Sequence, residues 1–300
     1  MCNATRYLST LLAMLLIAGC SGDSTTDATL AATTTTDRAT TTTAEATTAP
    51  LQDSGSFEVT TTVVSHETTQ DMWVFAPDGE GPWPVVFAYH GQGGTGDGLS
   101  TTAENLASSG KLVFAPTYRS TEPQHIEQDL ECSYRYAMSI AEDYGGDLNY
   151  PITYFGHSFG GQMGLLGGLS EATYGPGGTY DECFTGVQRP DVIVAVTACY
   201  YENPDGDKYP FNTTGYSNLD AKLVIIGGVD DDTCELWQSQ DATEALQATG
   251  YDTTLVEIDG GNHANVVFYE VVNGEWLVRP DEPVGHEVVQ LTIDAIDSAG

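Results

Sequence analysis

The chain has 300 residues, 40% of them hydrophobic, enough to bury a sizeable core. Nine Lys and Arg against 43 Asp and Glu give a formal charge of -34, which argues against nucleic acid or an anionic membrane surface as a partner, because a surface of that sign repels phosphate. Residues 1–50 hold only Asp23, Asp27, Asp37 and Glu45 against Arg6 and Arg38, so the acids belong to the part that folds, where they solvate the surface.

In chain order, Arg6 supplies a short positive region, and Leu11 to Ala18 form an apolar run too short to span a bilayer, ending in Ile17-Ala18-Gly19-Cys20. This resembles a bacterial lipoprotein signal over residues 1–19 and implies lipidation of Cys20. An ordinary secretory signal cleaved nearby is the other reading, and both export the chain. Residues 21–50 contain 13 Thr among Ala, Ser and Asp, too few large apolar side chains to offset the entropy of ordering, so residues 20–56 read as a disordered tether. The folding part then runs from 57 to 300. It carries Cys132, Cys183, Cys199 and Cys234, an even number in an oxidising compartment, so two disulfides are expected. No CxxC pair points to zinc.

Apolar runs at 57–64 and 70–76 read as leading strands, and those at 84–89, 111–116, 152–155, 192–197, 222–226 and 253–258 as later ones. Helical patterns lie near 98–109, 123–144, 159–170, 235–249 and 284–298. Such alternation predicts an α/β fold, a mostly parallel central sheet with helices on both faces, whose chemistry sits at the carboxyl ends of the strands.

Three of those ends carry reactive side chains. After the strand at 152–155 comes Gly156-His157-Ser158-Phe159-Gly160-Gly161, the G-x-S-x-G pattern in which two glycines allow a sharp turn from strand to helix and lift a serine hydroxyl above the sheet. After 222–226 comes Gly227-Gly228-Val229-Asp230-Asp231-Asp232, with Asp231 the first choice to orient an imidazole and Asp230 the second. After 253–258 comes Asp259-Gly260-Gly261-Asn262-His263, which places His263 beside the acid loop. The order Ser, Asp, His on three strand ends suits nucleophilic catalysis. His90-Gly91-Gln92-Gly93-Gly94 after 84–89 is a loop able to present a backbone N–H, taken as that of Gln92, which with the N–H of Phe159 makes an oxyanion hole. His90 itself reads as a brace for that loop. Tyr118, Tyr200, Tyr201 and Trp237, close behind strand ends or the acid loop, are expected to line the pocket.

From His90 to His263 the chain resembles the α/β-hydrolase fold, and within it the exported dienelactone-hydrolase-like and esterase branch, which shares features with polyester-degrading cutinases. QDLECSYRYAMSIAEDYGG at 128–146, GHSFGG, GGVDDD and GGNHAN carry the resemblance. It implies a monomeric serine hydrolase of small-molecule or polymeric esters, using Ser158, Asp231 and His263, needing no cofactor or metal, and touching a membrane only through the anchor at Cys20. A peptidase of the same fold and a cutinase-like polyester hydrolase are the alternatives. Two departures stand out: an insertion at 171–190, and Phe159 where polyester-cleaving relatives usually carry Met. In this fold Cys199 closes one strand and Cys234 follows the neighbouring strand's acid loop, so these two are expected to pair, leaving Cys132 for Cys183.

Overall fold

The computed structural model describes residues 56–65, 70–170, 188–200 and 211–300, all within the compact unit Leu51–Gly300. The expected signal and nearly all of the tether, the 171–187 part of the insertion, Cys183 and Tyr201 lie outside the described residues. Among the described residues no helix is long and apolar enough to cross a membrane.

Eight strands form one sheet: β1 (Val59–Val64), β2 (Met72–Pro77), β3 (Val85–Tyr89), β4 (Leu112–Pro116), β5 (Thr153–His157), β6 (Val192–Val196), β7 (Lys222–Gly228) and β8 (Asp252–Ile258). Their spatial order is β1-β2-β4-β3-β5-β6-β7-β8, with β1 and β2 antiparallel at one edge and the other six parallel. The helices are α1 (Ser100–Ser108), α2 (Pro123–Ile140), α3 (Phe159–Leu169), α4 (Leu236–Ala248) and α5 (Pro283–Asp297).

The central strands are buried on both faces, which explains their continuous Val, Ile and Phe runs. Alternate residues of β3 face opposite ways: Phe87 and Tyr89 join one core with Leu130 and Tyr134 of α2, Leu165 of α3 and Leu246 of α4. Val86 and Ala88 join the other, with Leu106 of α1 and Val288 and Ile296 of α5. The sidedness follows from winding. The crossover through α1 carries the chain from β3 to β4, and the next, through α2, carries it back past β3 to β5; right-handed crossovers in opposite directions put their helices on opposite faces. The carboxyl ends of β3 and β5 therefore diverge into a crevice, where loops from both meet.

One element was not among the predicted ones. After β8, a short 3-10 turn (Asn265–Val267) leads into a hairpin of β9 (Tyr269–Val272) and β10 (Glu275–Val278), outside the main sheet. Asn273 and Gly274 form its two-residue loop with φ of 53° and 83°, the paired positive values that a tight hairpin turn of this hand requires.

Candidate active site

Ser158 sits between β5 and α3 with φ 56° and ψ -127°, a region rarely occupied by a residue with a side chain. The neighbours hold it there. A Cβ on Gly156 would lie 2.2 Å from the Gly160 carbonyl oxygen, and one on Gly160 would lie 2.3 Å from that of Tyr89, so only glycines let helix and strands approach this closely. The Ser158 N–H donates to the Val196 carbonyl at 3.0 Å.

His263 comes from the loop after β8. The Asn262 side-chain oxygen accepts the N–H groups of Ala264 and Asn265, at 2.9 and 3.0 Å, while the Asp230 N–H donates to the Gly261 carbonyl at 2.9 Å and laces this loop to the acid loop. The result is a chain of two hydrogen bonds: Ser158 Oγ lies 2.9 Å from His263 Nε2, and His263 Nδ1 lies 2.9 Å from Asp231 Oδ2. The other carboxylate oxygen of Asp231 accepts the N–H groups of Thr233 and Cys234, at 2.8 and 2.9 Å. Asp231 is buried and meets the imidazole, whereas Asp230 points its side chain to solvent. Two backbone donors and an imidazole nitrogen thus take the place of solvent around this carboxylate.

Two further histidines are fixed in neutral form. His157, buried beneath the site, donates from Nε2 to the His263 carbonyl at 2.8 Å; desolvation, then the neighbouring His263, lowers its pKa to about 3. It pins the backbone of the His263 loop. His90 donates from Nδ1 to the Gly91 carbonyl at 2.7 Å and accepts the Tyr118 N–H at Nε2, at 3.2 Å; burial lowers its pKa to about 4. It braces the glycine loop, as its position suggested.

In that loop the N–H of Gly93 donates to Ser120 Oγ at 2.7 Å and that of Gly94 to the Gly91 carbonyl at 3.1 Å, which leaves those of Gly91 and Gln92 without a partner among the described residues. The N–H of Phe159 is in the first turn of α3, where no intrahelical acceptor exists. Gln92, Ser158, Phe159 and His263 all line one cavity of about 490 Å³, with Leu99, Val267, Tyr269 and Trp276 as its apolar walls.

The expected aromatic lining needs correction. Tyr118 is buried, stacked on His90 at 4.1 Å between ring centroids, because its hydroxyl donates back to the His90 carbonyl. Tyr200 packs against Phe211 inside the protein, and Trp237 donates from Nε1 to the Glu235 carboxylate. Neither lines the cavity. Tyr269 and Trp276, from the unexpected hairpin, do. Asn273-Gly274 between two apolar stretches was the available signal for them.

Cys199 and Cys234 form a disulfide with Cα atoms 4.8 Å apart, and Cys132 is disulfide-bonded as well. The Cys199 sulfur is 4.0 Å from Ser158 Oγ and the Cys234 sulfur 4.0 Å from His263 Nε2, so the bridge is a wall of the site itself. These sulfurs and the imidazole cluster as metal ligands would, but sulfurs bonded to each other offer no thiolate. The bridge closes a sequence separation of 35 residues, for which chain-entropy reasoning gives about 3–4 kcal/mol. The Cys199→Ala/Cys234→Ala double variant is therefore expected to melt lower, and to turn over its substrate about tenfold more slowly because the acid loop loses its strut. Thermal melts and steady-state kinetics measured together check this, and a melting point that falls with kcat unchanged would separate the bridge from the chemistry.

Neither a family model nor a curated protein sequence matches the chain. Solved structures do. Esterase B from Lactobacillus rhamnosis (HN001) is 17% identical, with a TM-score of 0.62 over 80% of this chain and 86% of that one. A hyperthermophilic esterase from the archaeon Pyrobaculum calidifontis is 16% identical, with a TM-score of 0.60 over 81% and 86%. The thermophilic esterase Est2 of Thermogutta terrifontis, solved with butyrate bound, is also 16% identical, with a TM-score of 0.60 over 83% and 96%. With the sheet order and the helices on both faces, the likeness establishes the α/β-hydrolase fold.

Proposed function

We propose that this chain is a serine hydrolase of carboxylic esters, of the dienelactone-hydrolase-like branch that its sequence resembles. One observation carries the reading: an exposed-facing cavity whose floor holds a serine hydroxyl 2.9 Å from an imidazole that is itself 2.9 Å from a buried carboxylate. The fold alone hosts many activities; this arrangement narrows them to acyl transfer through a serine, for which esters are the proposed substrates.

In the proposed mechanism Ser158 Oγ attacks the acyl carbon as His263 Nε2 takes its proton. Asp231 holds the Nδ1 proton and steadies the imidazolium. The N–H groups of Gln92 and Phe159 receive the oxyanion; loss of one such donor typically raises the barrier by about 3 kcal/mol. His263 then returns its proton to the leaving oxygen, the alcohol departs, and water activated by the same imidazole hydrolyses the acyl-enzyme. His157 stays neutral and keeps the His263 loop in register.

The chain is further proposed to act outside the cytoplasm, anchored through a lipid on Cys20 with the Thr-rich segment as tether. Purified protein is expected to hydrolyse p-nitrophenyl acetate and short-chain esters, and to leave peptide p-nitroanilides intact. Cleavage of the peptides at rates comparable to the esters would point to the peptidase, and release of soluble products from a polyester film would extend the substrate range to polymers. Absence of any ester turnover would overturn the proposal.

A further inference from the structure

We propose that Trp276 is the platform for the leaving alcohol of the ester, and that this alcohol is a hydroxylated ring, as in an acylated carbohydrate. The inference rests on the ester-hydrolase reading above and names its substrate class.

The chemistry first fixes the side. The imidazole that takes the serine proton hands it to the leaving oxygen, so the leaving group lies on the histidine's side of the scissile bond. On that side stands Trp276 of β10, its ring centroid 6.4 Å from that of His263. The residue is 49% exposed, although indole is among the largest apolar groups a protein can bury. It borders the cavity that holds Ser158 and also a second one of about 700 Å³ beyond His263; Thr233, His263 and Tyr269 are the other residues common to both. A substrate with its carbonyl over Ser158 thus runs past His263 and across the indole into the second space.

The indole is also held in place. Its ring packs edge-on against Tyr269 at 5.6 Å between centroids, and the Tyr269 hydroxyl donates to the carbonyl of Gly98, also in the lining of the first cavity, at 2.9 Å. The Arg279 N–H, just past β10, bonds the Phe268 carbonyl at 2.7 Å and closes the base of the hairpin. A rigid, half-exposed aromatic face next to the reacting atoms is a stacking surface whose ordering cost is already met by folding.

The lining of the second cavity selects what stacks there. Past the indole the wall becomes polar, with Asp230, Asp232, Asn262 and Glu282 among its residues. Ionised carboxylates only accept hydrogen bonds, so a group that displaces their water must bring donors. A plain alkyl alcohol brings none beyond its ester carbon, leaves their water in place and gains nothing from them. A sugar ring satisfies both surfaces, its C–H face on the indole and its hydroxyls toward the carboxylates.

The test holds the acyl group constant and varies the alcohol. kcat/KM is measured for ethyl acetate, p-nitrophenyl acetate, an acetylated methyl glucoside and acetylcholine, with the native chain, Trp276→Ala and Trp276→Phe. The native chain is expected to favour the acetylated glucoside over ethyl acetate by about tenfold or more. Trp276→Ala should lower the glucoside value at least fivefold more than the ethyl acetate value, and Trp276→Phe should recover part of that difference. Equal rates on glucoside and ethyl acetate, or equal losses on both in Trp276→Ala, would overturn the inference. Acetylcholine outrunning the glucoside would also overturn it, in favour of a cationic alcohol. Failure to hydrolyse any of the four, p-nitrophenyl acetate included, would strike the ester-hydrolase reading instead.

Discussion

Ser158→Ala is expected to lower kcat for ester hydrolysis by about 10⁵- to 10⁶-fold, with the melting point unchanged. The hydroxyl is the group that bonds to carbon, and among the described residues no other nucleophile stands within reach of the His263 nitrogen: the two sulfurs nearby are tied to each other. What remains in the variant is the effect of the oxyanion donors and of substrate binding, which act on water as the attacking group. His263→Ala should cost about as much, because a serine without its base is a weak nucleophile at neutral pH. The two losses should not add. If Ser158 and His263 act as one unit, the double variant is no slower than either single one; independent contributions would multiply. Stopped assays with enough protein to see a residual 10⁻⁶ of native turnover, alongside thermal melts, decide it. Turnover in Ser158→Ala within tenfold of native would remove Ser158 from the chemistry.

What could be read from the residues, and what could not, divides along physical lines. The strand-helix alternation and the turn at Ser158 were legible because they record steric needs: a strand buried on both faces has to be continuously apolar, and the approach of α3 to β3 and β5 admits no Cβ at 156 or 160. The pairing of Cys199 with Cys234 was legible for a related reason, since both follow the carboxyl ends of adjacent strands. Direction of side chains was not. Tyr118 follows β4, where pocket residues are expected, yet its ring turns under the glycine loop, where a buried histidine offers a stacking partner and a carbonyl takes its hydroxyl. Position after a strand says where the backbone goes; where the ring goes is decided by such tertiary partners. The hairpin carrying Trp276 announced itself through Asn273-Gly274, but a two-stranded ribbon outside the main sheet has no place in the alternation that organised the rest. The part His157 plays was equally out of reach, because its bond is to a backbone atom 106 residues away.

The choice between Asp230 and Asp231 shows the same limit and gives the second large effect. Neighbouring aspartates are chemically alike; the turn after β7 alone decides which one faces inward. It turns Asp231 in, with its Oδ1 held by the N–H groups of Thr233 and Cys234 and its Oδ2 on His263, and turns Asp230 out to solvent. Asp231→Asn is expected to lower kcat by about 10⁴-fold. The amide oxygen can keep the two backbone bonds, so the loop stays folded, but the amide N–H₂ then faces His263 Nδ1 and donates to it. The imidazole is driven to the tautomer with its proton on Nε2, which cannot accept the proton of Ser158. A partner unable to carry negative charge also ceases to steady the imidazolium in the transition state. Asp230→Asn removes one exposed charge that makes no bond to the imidazole, and should change kcat on ethyl acetate, whose alcohol is too short to reach it, by no more than about twofold, in line with the small effects of exposed charges. Kinetics of the two variants, with melting points to show that both remain folded, make the comparison direct. If Asp230→Asn were the slower enzyme, the acid would move by one residue, and the inward turn at Asp231 would have to be a structural feature of the loop with no part in the proton relay.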